Sequence, residues 1–163
     1  MTSQNNQKVL AVVQASAGRR FLGLASLSLL GLLLIYIAIA RSPEFIWQVF
    51  LIAVAVAALW SADAMRRGTA SAVELTETEL RDADGTLIAR VADIESMDRG
   101  FFAFKPSNGF LIKTKTGNRR VWRPGLWWRI GRRIGIGGMT PGHQTKLMSE
   151  MLAAMMAERD PQD

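Results

Sequence analysis

Cysteine is absent from this 163-residue chain, and histidine occurs once. Without cysteine, disulfides, thiolate metal sites and cysteine nucleophiles are excluded. The single histidine, His143, stands in the first turn of a predicted terminal helix, where a structural or solvated role is far more common than catalysis. We find no nucleophile–base pair and no ligand cluster in the sequence. We therefore expect a protein that is not an enzyme, with no cofactor and no metal.

Two other signatures of small-ligand sites are also missing. The glycines at 131, 135, 137 and 138 do not form a G-x-x-x-x-G-K-[ST] loop, and they lack the strand-turn-helix context of a dinucleotide site. Glycines that permit sharp bends in a sheet explain them better. The acidic residues Asp82, Asp84, Asp93 and Glu95 lack the ligand spacing of a calcium loop. Turn and strand-edge roles fit these carboxylates better.

Charge is scarce in one long part of the chain, because Arg41 and Glu44 are the only charged residues between positions 21 and 62. Residues 21–40 carry no charge, and at 1.5 Å per residue they reach about 30 Å, the thickness of a bilayer core. Pro43 interrupts the run, and a second apolar run follows at 45–62. The sequence predicts a two-helix transmembrane hairpin over residues 19–65, with spans at about 21–40 and 45–62.

The flanks of the two spans set the expected orientation. Basic residues precede the first span (Lys8, Arg19 and Arg20) and follow the second (Arg66 and Arg67), while the loop offers only Arg41, offset by Glu44. The positive-inside rule then places both termini in the cytoplasm, with residues 1–18 as an N-terminal tail. A signal-peptidase site at Ala38-Ile39-Ala40 is the alternative, which the long first run and the immediate second span disfavour.

Within the second span, tryptophans and small residues suggest further roles. Trp47 and Trp60 stand near its two ends, as in an aromatic belt at each interface. Ala53, Ala57 and Ser61 recur every fourth residue and offer a strip for close helix packing. Alanine as simple membrane filler is the open alternative.

After a linker at 66–71, the sequence pattern changes to one typical of short strands. Alternation predicts a strand at 73–76, Asp84-Gly85 predicts a hairpin, and 91–97 is read as one more strand with an irregularity. We expect residues 110–115 and 119–123 to pair around a turn at 116–118, followed by a last strand at 132–136 in which Ile134 and Ile136 share a face. From Thr140 a helix is predicted, whose apolar stripe we expect to be buried: Leu147, Met148, Met151, Leu152, Met155 and Met156.

This order of strands and a final helix resembles a pleckstrin-homology (PH)-like domain. The resemblance is carried by residues 73–97, "VELTETELRDADGTLIARVADIESM", and 140–156, "TPGHQTKLMSEMLAAMM". It implies a membrane α-helical hairpin plus an α+β domain at 72–159, in which an antiparallel β-barrel or bent sheet is capped by the C-terminal helix, with a tail at 160–163. The chain is thus similar to bacterial two-span membrane proteins with a PH-like cytoplasmic domain, an uncharacterised family whose likeness supplies no activity. This resemblance implies a location in the inner membrane of a bacterium.

Acidic residues are absent between Phe101 and Thr140, where three of the five tryptophans fall. The basic residues of this stretch are Lys105, Lys113, Lys115, Arg119, Arg120, Arg123, Arg129, Arg132 and Arg133. The short linker keeps the domain close to the bilayer, where each lysine or arginine contributes about 1 kcal/mol to binding of anionic lipid.

We therefore expect the domain to contact anionic headgroups of the lipid bilayer, or a membrane partner. The candidate contact residues are Arg119, Arg120, Arg123, Trp127, Trp128, Arg129, Arg132 and Arg133. Two alternatives stay open: solvated arginines over tryptophans in the domain core, and docking as an accessory or assembly subunit of a larger membrane protein complex. Nucleic acid is not an expected partner, because no nucleic-acid-reading motif is present.

Overall fold

The computed structural model describes residues 8–100 and 106–159. Within these ranges the chain forms three α-helices, seven β-strands and one 3-10 turn. They follow in the order β1 (Val9–Gln14), α1 (Ala17–Ala40), α2 (Phe45–Gly68), β2 (Ala72–Thr76), β3 (Glu79–Asp82), β4 (Leu87–Arg90), the 3-10 turn (Val91–Asp93), β5 (Ile94–Asp98), β6 (Phe110–Arg123), β7 (Trp127–Ile136) and α3 (Gly142–Arg159).

Two antiparallel sheets make up the domain, in the strand orders β1-β2-β3-β4 and β5-β6-β7. The described strands do not close into a barrel, so the layout is α+β with bent sheets and a C-terminal helix. Residues of both sheets meet in one core around Trp127, Phe110 and Leu75. The helix α3 covers this core with Met148 and Leu152, which are fully buried. Leu147, which was expected in the same buried stripe, is 50% exposed, because it lies about 100° around the helix from Met148.

The expected helical hairpin is present. Helices α1 and α2 have 24 residues each and are long and apolar enough to cross a membrane. They pack closely at Gly31, where a Cβ atom would lie 2.7 Å from Cγ of Leu59. Glycine is therefore required for the observed approach of the two helices.

The small-residue strip predicted on α2 does not form this helix contact. Ala55 and Ala58 are buried, and the carbonyl of Ala55 lies beside Gly31. Ala53 and Ala57 belong to the exposed face of α2 instead. The prediction of a packing strip was wrong because periodicity alone does not tell which side of a helix meets its neighbour.

The strand β1 lies in residues 1–18, where the sequence indicated a tail. It pairs antiparallel with β2, with Val13 opposite Val73 and Gln14 opposite Ala72. Val13 is fully buried. The two-helix hairpin is thus inserted between the first two strands of a sheet, and the domain uses residues 9–14 in addition to the expected 72–159.

The hairpins of the domain confirm one turn prediction and correct another. Strands β3 and β4 pair around Gly85, whose φ of 91° suits glycine. The turn expected at 116–118 is absent, because β6 continues through these residues to Arg123. The chain reverses instead at 124–126, where Pro124 cannot donate to a ladder and Gly125 has a φ of 86°. The stretch predicted as a last strand is the second half of β7, in which Ile134 and Ile136 are buried as expected.

Candidate functional site

The paired strands β6 and β7, which we call the ribbon, double back on themselves. A straight strand of ten residues spans about 33 Å. The amide of Gly137, just after β7, nevertheless donates to the carbonyl of Leu126, just before it, at 2.8 Å. Two features permit the reversal. Gly131 has a φ of 60°. Between the pairs Lys113–Arg133 and Asn118–Gly131, β6 advances by five residues while β7 advances by only two. The ribbon therefore has a bend at its middle.

The bend, which we define as residues 115–120 and 130–133, is exposed along its whole length. It carries five basic residues and no acidic one: Lys115, Arg119, Arg120, Arg132 and Arg133. The sheet geometry thus gathers four of the eight predicted contact residues on one protrusion. Lys105, which belongs to the same basic stretch, lies outside the described residues.

Some of the basic charge near the bend is compensated. Glu95 on β5 accepts hydrogen bonds from Lys113, at 3.1 Å, and from Arg132. These two partners, Lys113 first, hold the pKa of the Glu95 carboxyl below its usual value. Among residues 8–100 and 106–159, Arg119, Arg120 and Arg133 have no ion pair. These three side chains carry the uncompensated positive charge of the bend together with Lys115, whose ammonium group donates to the carbonyl of Ala92 at 3.3 Å but forms no ion pair with a described residue.

The half-buried Arg123 points away from the bend toward the first sheet. Its guanidinium forms an ion pair with Asp84 and lies 3.9 Å from Oδ2 of Asp82. The hydrogen bond from Thr86, together with Arg123, keeps the pKa of Asp84 below its usual value. Arg123 therefore has acidic partners within the domain.

Arg129 corrects the predicted contact set, because it is a structural residue. Only 7% of it is exposed, and its Nη1 donates to the carbonyls of Leu87 and Ile88 at 3.0 and 2.9 Å. Its Nε donates to the carbonyl of Arg119 at 2.9 Å. Arg129 thus joins β4 of one sheet to β6 of the other, and burial lowers its pKa.

The three tryptophans of the ribbon divide between two faces. Directly paired strand residues share a face, and the register pairs Trp122 with Trp128 and Arg123 with Trp127. Trp127 is fully buried and donates its Nε1 hydrogen to Asp82 at 2.7 Å, so the prediction that it is an interfacial ring was wrong. Trp122, by contrast, is 52% exposed.

Trp128 is half-buried because its indole lies over Gly135. A Cβ atom at that glycine would stand 2.5 Å from the ring. Two residues along β7, Ile130 is 53% exposed. Trp122, Trp128 and Ile130 form what we call the outer face of the ribbon.

The ribbon is docked on the helix α2 at two points. The rings of Trp122 and Trp60 stack with their centroids 6.0 Å apart and an interplanar angle of 26°. Pro124 lies against Gly68, where a Cβ atom would be 2.8 Å from the Pro124 carbonyl oxygen. Since Trp60 and Gly68 are eight residues apart, or about 12 Å along the helix, β6 runs beside α2. From Pro124 toward the bend, it approaches the apolar part of α2.

Further contacts hold the same end of the hairpin to the domain. The amide of Ser16, just before α1, donates to the carbonyl of Met139 at 2.7 Å. Arg19 donates to the carbonyl of Thr140 at 3.1 Å. The domain is therefore fixed to the ends of both helices. Sequence reasoning placed Trp60 at a membrane interface, but nothing in the sequence links it to Trp122.

Comparison with known proteins identifies no relative of the chain, so its function is inferred from the geometry described above. No protein-family model, no curated protein and no solved structure matches the chain. In the part of the chain that the structure describes, no group of three or more acidic or histidine side chains is placed to hold a metal ion. The ribbon is docked beside α2, and its bend is exposed and basic.

Proposed function

We propose that this chain is a non-enzymatic protein of the bacterial inner membrane whose PH-like cytoplasmic domain contacts anionic lipid headgroups through the bend of its ribbon. The observation that carries the proposal is the stacking of Trp122 on Trp60. It fixes the height of the ribbon relative to a helix that is long enough to cross a bilayer.

The expected position of Trp60 in the membrane supports this function. Indole rings favour the interface between headgroups and hydrocarbon, and Trp60 stands near the end of the apolar part of α2. The ribbon runs along α2 from Pro124 to Trp122, so the bend is held at the interface marked by Trp60, where its long basic side chains can reach the headgroups. With about 1 kcal/mol for each basic residue near an anionic surface, the uncompensated Arg119, Arg120 and Arg133 would contribute about 3 kcal/mol.

The pairing of β1 with β2 supports the placement of both ends of the helical hairpin on the same side of the membrane. These strands lie on either side of the helical hairpin in the chain, so both ends of the hairpin face one side. Arg19, Arg20, Arg66 and Arg67 stand at these ends, and their charge favours the cytoplasmic side. A four-stranded sheet, a three-stranded sheet and a final helix are the elements that a PH-like domain would supply.

The second candidate function is that of an accessory subunit in a larger membrane complex. A groove of about 540 Å³ favours it. The groove lies between β1, the 3-10 turn and the end of α3, and its lining includes Leu10, Val91 and Met155. A stoichiometric protein partner that survives mild detergent would favour this function over lipid contact alone.

The lipid proposal can be tested with the whole chain in nanodiscs, since a fragment that begins at Ala72 lacks β1. The chain has no cysteine, so a spin label can be placed at Asn118→Cys, an exposed and uncharged position in the bend. We expect a water-soluble relaxation agent to reach the label less in anionic than in neutral nanodiscs. High salt should remove the difference, because exposed charges are screened beyond about 8 Å at physiological ionic strength.

The controls are variants in the same labelled background. Replacing Lys115, Arg119, Arg120 and Arg133 with alanine should abolish the lipid dependence. Replacing Arg90 and Lys146, which are exposed basic residues outside the bend, should leave it intact. Equal accessibility in anionic and neutral nanodiscs at low salt would contradict the proposal.

A further inference from the structure

The outer face of the ribbon exposes apolar surface in the midst of basic residues. Trp122 and Ile130 are each more than half exposed, at 52% and 53%, although both have bulky apolar side chains. They lie on one face because Trp122 pairs with Trp128, and Ile130 follows Trp128 by two residues. Exposed apolar surface of this kind, rimmed by polar groups, marks contact with another protein or with a membrane.

The position of the outer face indicates that it contacts the lipid bilayer. Trp122 is at the height of Trp60, near the end of the apolar part of α2. Two strand residues advance about 6 to 7 Å, and the direction from Pro124 to Trp122 leads away from the helix end at Gly68. Ile130 therefore lies at the depth of Trp60 or deeper. An apolar side chain at that depth, beside a membrane-spanning helix, has lipid as its nearest neighbour.

We propose that the outer face of the ribbon inserts into the interface of the bilayer that α2 spans, with Trp122 and Ile130 as the inserted side chains. This inference rests on the proposed function in taking α2 as a membrane span, but it does not depend on lipid charge. Arginine side chains can bury their alkyl stems while their guanidinium groups stay among the headgroups. Arg119 and Arg120 flank the inserted side chains in this way.

Depth measurement by spin labelling tests the insertion directly. We would label Ile130→Cys in the full chain and measure accessibility to oxygen, which partitions into lipid, and to a water-soluble nickel chelate. The nanodiscs contain neutral lipid only and one protein copy each. A label at Val56→Cys, which is 59% exposed on α2 one helical turn from Trp60, is the deep reference. A label at Leu147→Cys, 50% exposed on α3, is the matched surface control.

We expect the oxygen-to-chelate ratio at position 130 to be closer to that of the Val56 label than to that of the Leu147 label. A ratio equal to the Leu147 control would overturn the insertion. A lipid-like ratio that appears only with several copies in a disc would also overturn it, because the occupant would then be a second copy of the chain. Combining the label with Trp122→Ala should lower the ratio, since the ribbon loses its contact with Trp60.

The two proposals fail separately in these experiments. Neutral lipid removes the attraction between arginines and anionic headgroups, so a deep Ile130 label in neutral nanodiscs supports insertion even if the Asn118 label shows no dependence on lipid charge. A charge-dependent Asn118 label with a water-exposed Ile130 label would support headgroup contact and reject insertion.

Discussion

Trp127 donates its indole hydrogen to the carboxylate of Asp82 at 2.7 Å, and both side chains are fully buried. Asp82 ends β3, and Trp127 begins β7. The hydroxyl of Ser71, in the linker after α2, also donates to this carboxylate. One buried acid thus connects the ribbon, the first sheet and the chain leaving the helical hairpin.

We expect replacement of Trp127 and replacement of Trp122 to lower the stability of the domain by very different amounts. Trp127→Ala leaves a cavity and removes one hydrogen bond from the buried carboxylate of Asp82, and we expect a loss of about 3 to 5 kcal/mol in the free energy of unfolding. Trp122→Ala removes an exposed ring whose stacking contributes about 0.5 to 1.5 kcal/mol. Chemical unfolding of the detergent-solubilised protein, followed by circular dichroism, measures both. Equal losses would contradict the assignment of the two rings to opposite faces.

Arg129 and Arg133 form a matched pair for testing the bridge between the sheets. Arg129→Lys retains the charge, but one ammonium group cannot reproduce the fork that reaches carbonyls of β4 and β6. We expect a loss of about 1.5 to 3 kcal/mol, the usual value for hydrogen bonds to charged groups. Arg133→Lys, at an exposed position without an ion pair to a described residue, should change stability by less than about 0.5 kcal/mol.

We expect the folded domain to lose stability at acid pH through protonation of Asp84 and Glu95. Both carboxyl groups have a pKa lowered in the folded protein from ordinary values of 3.8 and 4.5, with Thr86 and Lys113 as the first causes. A depressed pKa contributes stability above the unfolded value, and this contribution is lost as the pH falls through the folded value. Thermal midpoints should therefore decline below about pH 4.5, and Asp84→Asn with Glu95→Gln should decline less steeply than the parent chain.

Close packing of the helical hairpin should depend on Gly31. Gly31→Ala places a methyl group against Leu59, and overpacking of this kind costs about 1 to 3 kcal/mol. Gly18→Ala in the same helix meets nothing within 4 Å and should be neutral or stabilising. Thermal unfolding in detergent compares them. Adding Leu59→Ala to Gly31→Ala should cost less than the sum of the single changes, because the second change makes room for the new methyl group.

Local signals predicted much of the fold. The apolar runs identified both helices of the hairpin, Asp84-Gly85 identified the turn between β3 and β4, and the spacing of Met148 and Leu152 identified the buried side of α3. Each of these signals is contained in a short stretch of neighbouring residues. The same kind of signal placed Ile134 and Ile136 on one buried face.

The missed features depend on residues far apart in the chain. The strand β1 is stabilised by pairing with residues about 60 positions away, and its own short apolar run does not reveal that partner. The turn at 116–118 was predicted from Gly117-Asn118, but the bend in the ribbon accommodates these residues within one strand. The burial of Trp127 was missed for a similar reason, because its hydrogen-bond partner Asp82 lies 45 positions away in the chain.

Because the helical hairpin is inserted between β1 and β2, formation of the first sheet depends on where the two helices are placed during biosynthesis. The segment that forms β1 is synthesised before either helix, and it has no partner until β2 follows the second one. If the helices cross a bilayer, a chain in which only one has crossed leaves these two strands on opposite sides of the membrane. Such a chain cannot complete its first sheet and leaves the edge of β2 open. Correct insertion of both helices is thus a precondition for folding the domain, and misinserted molecules would present an unpaired strand for quality-control proteases to recognise.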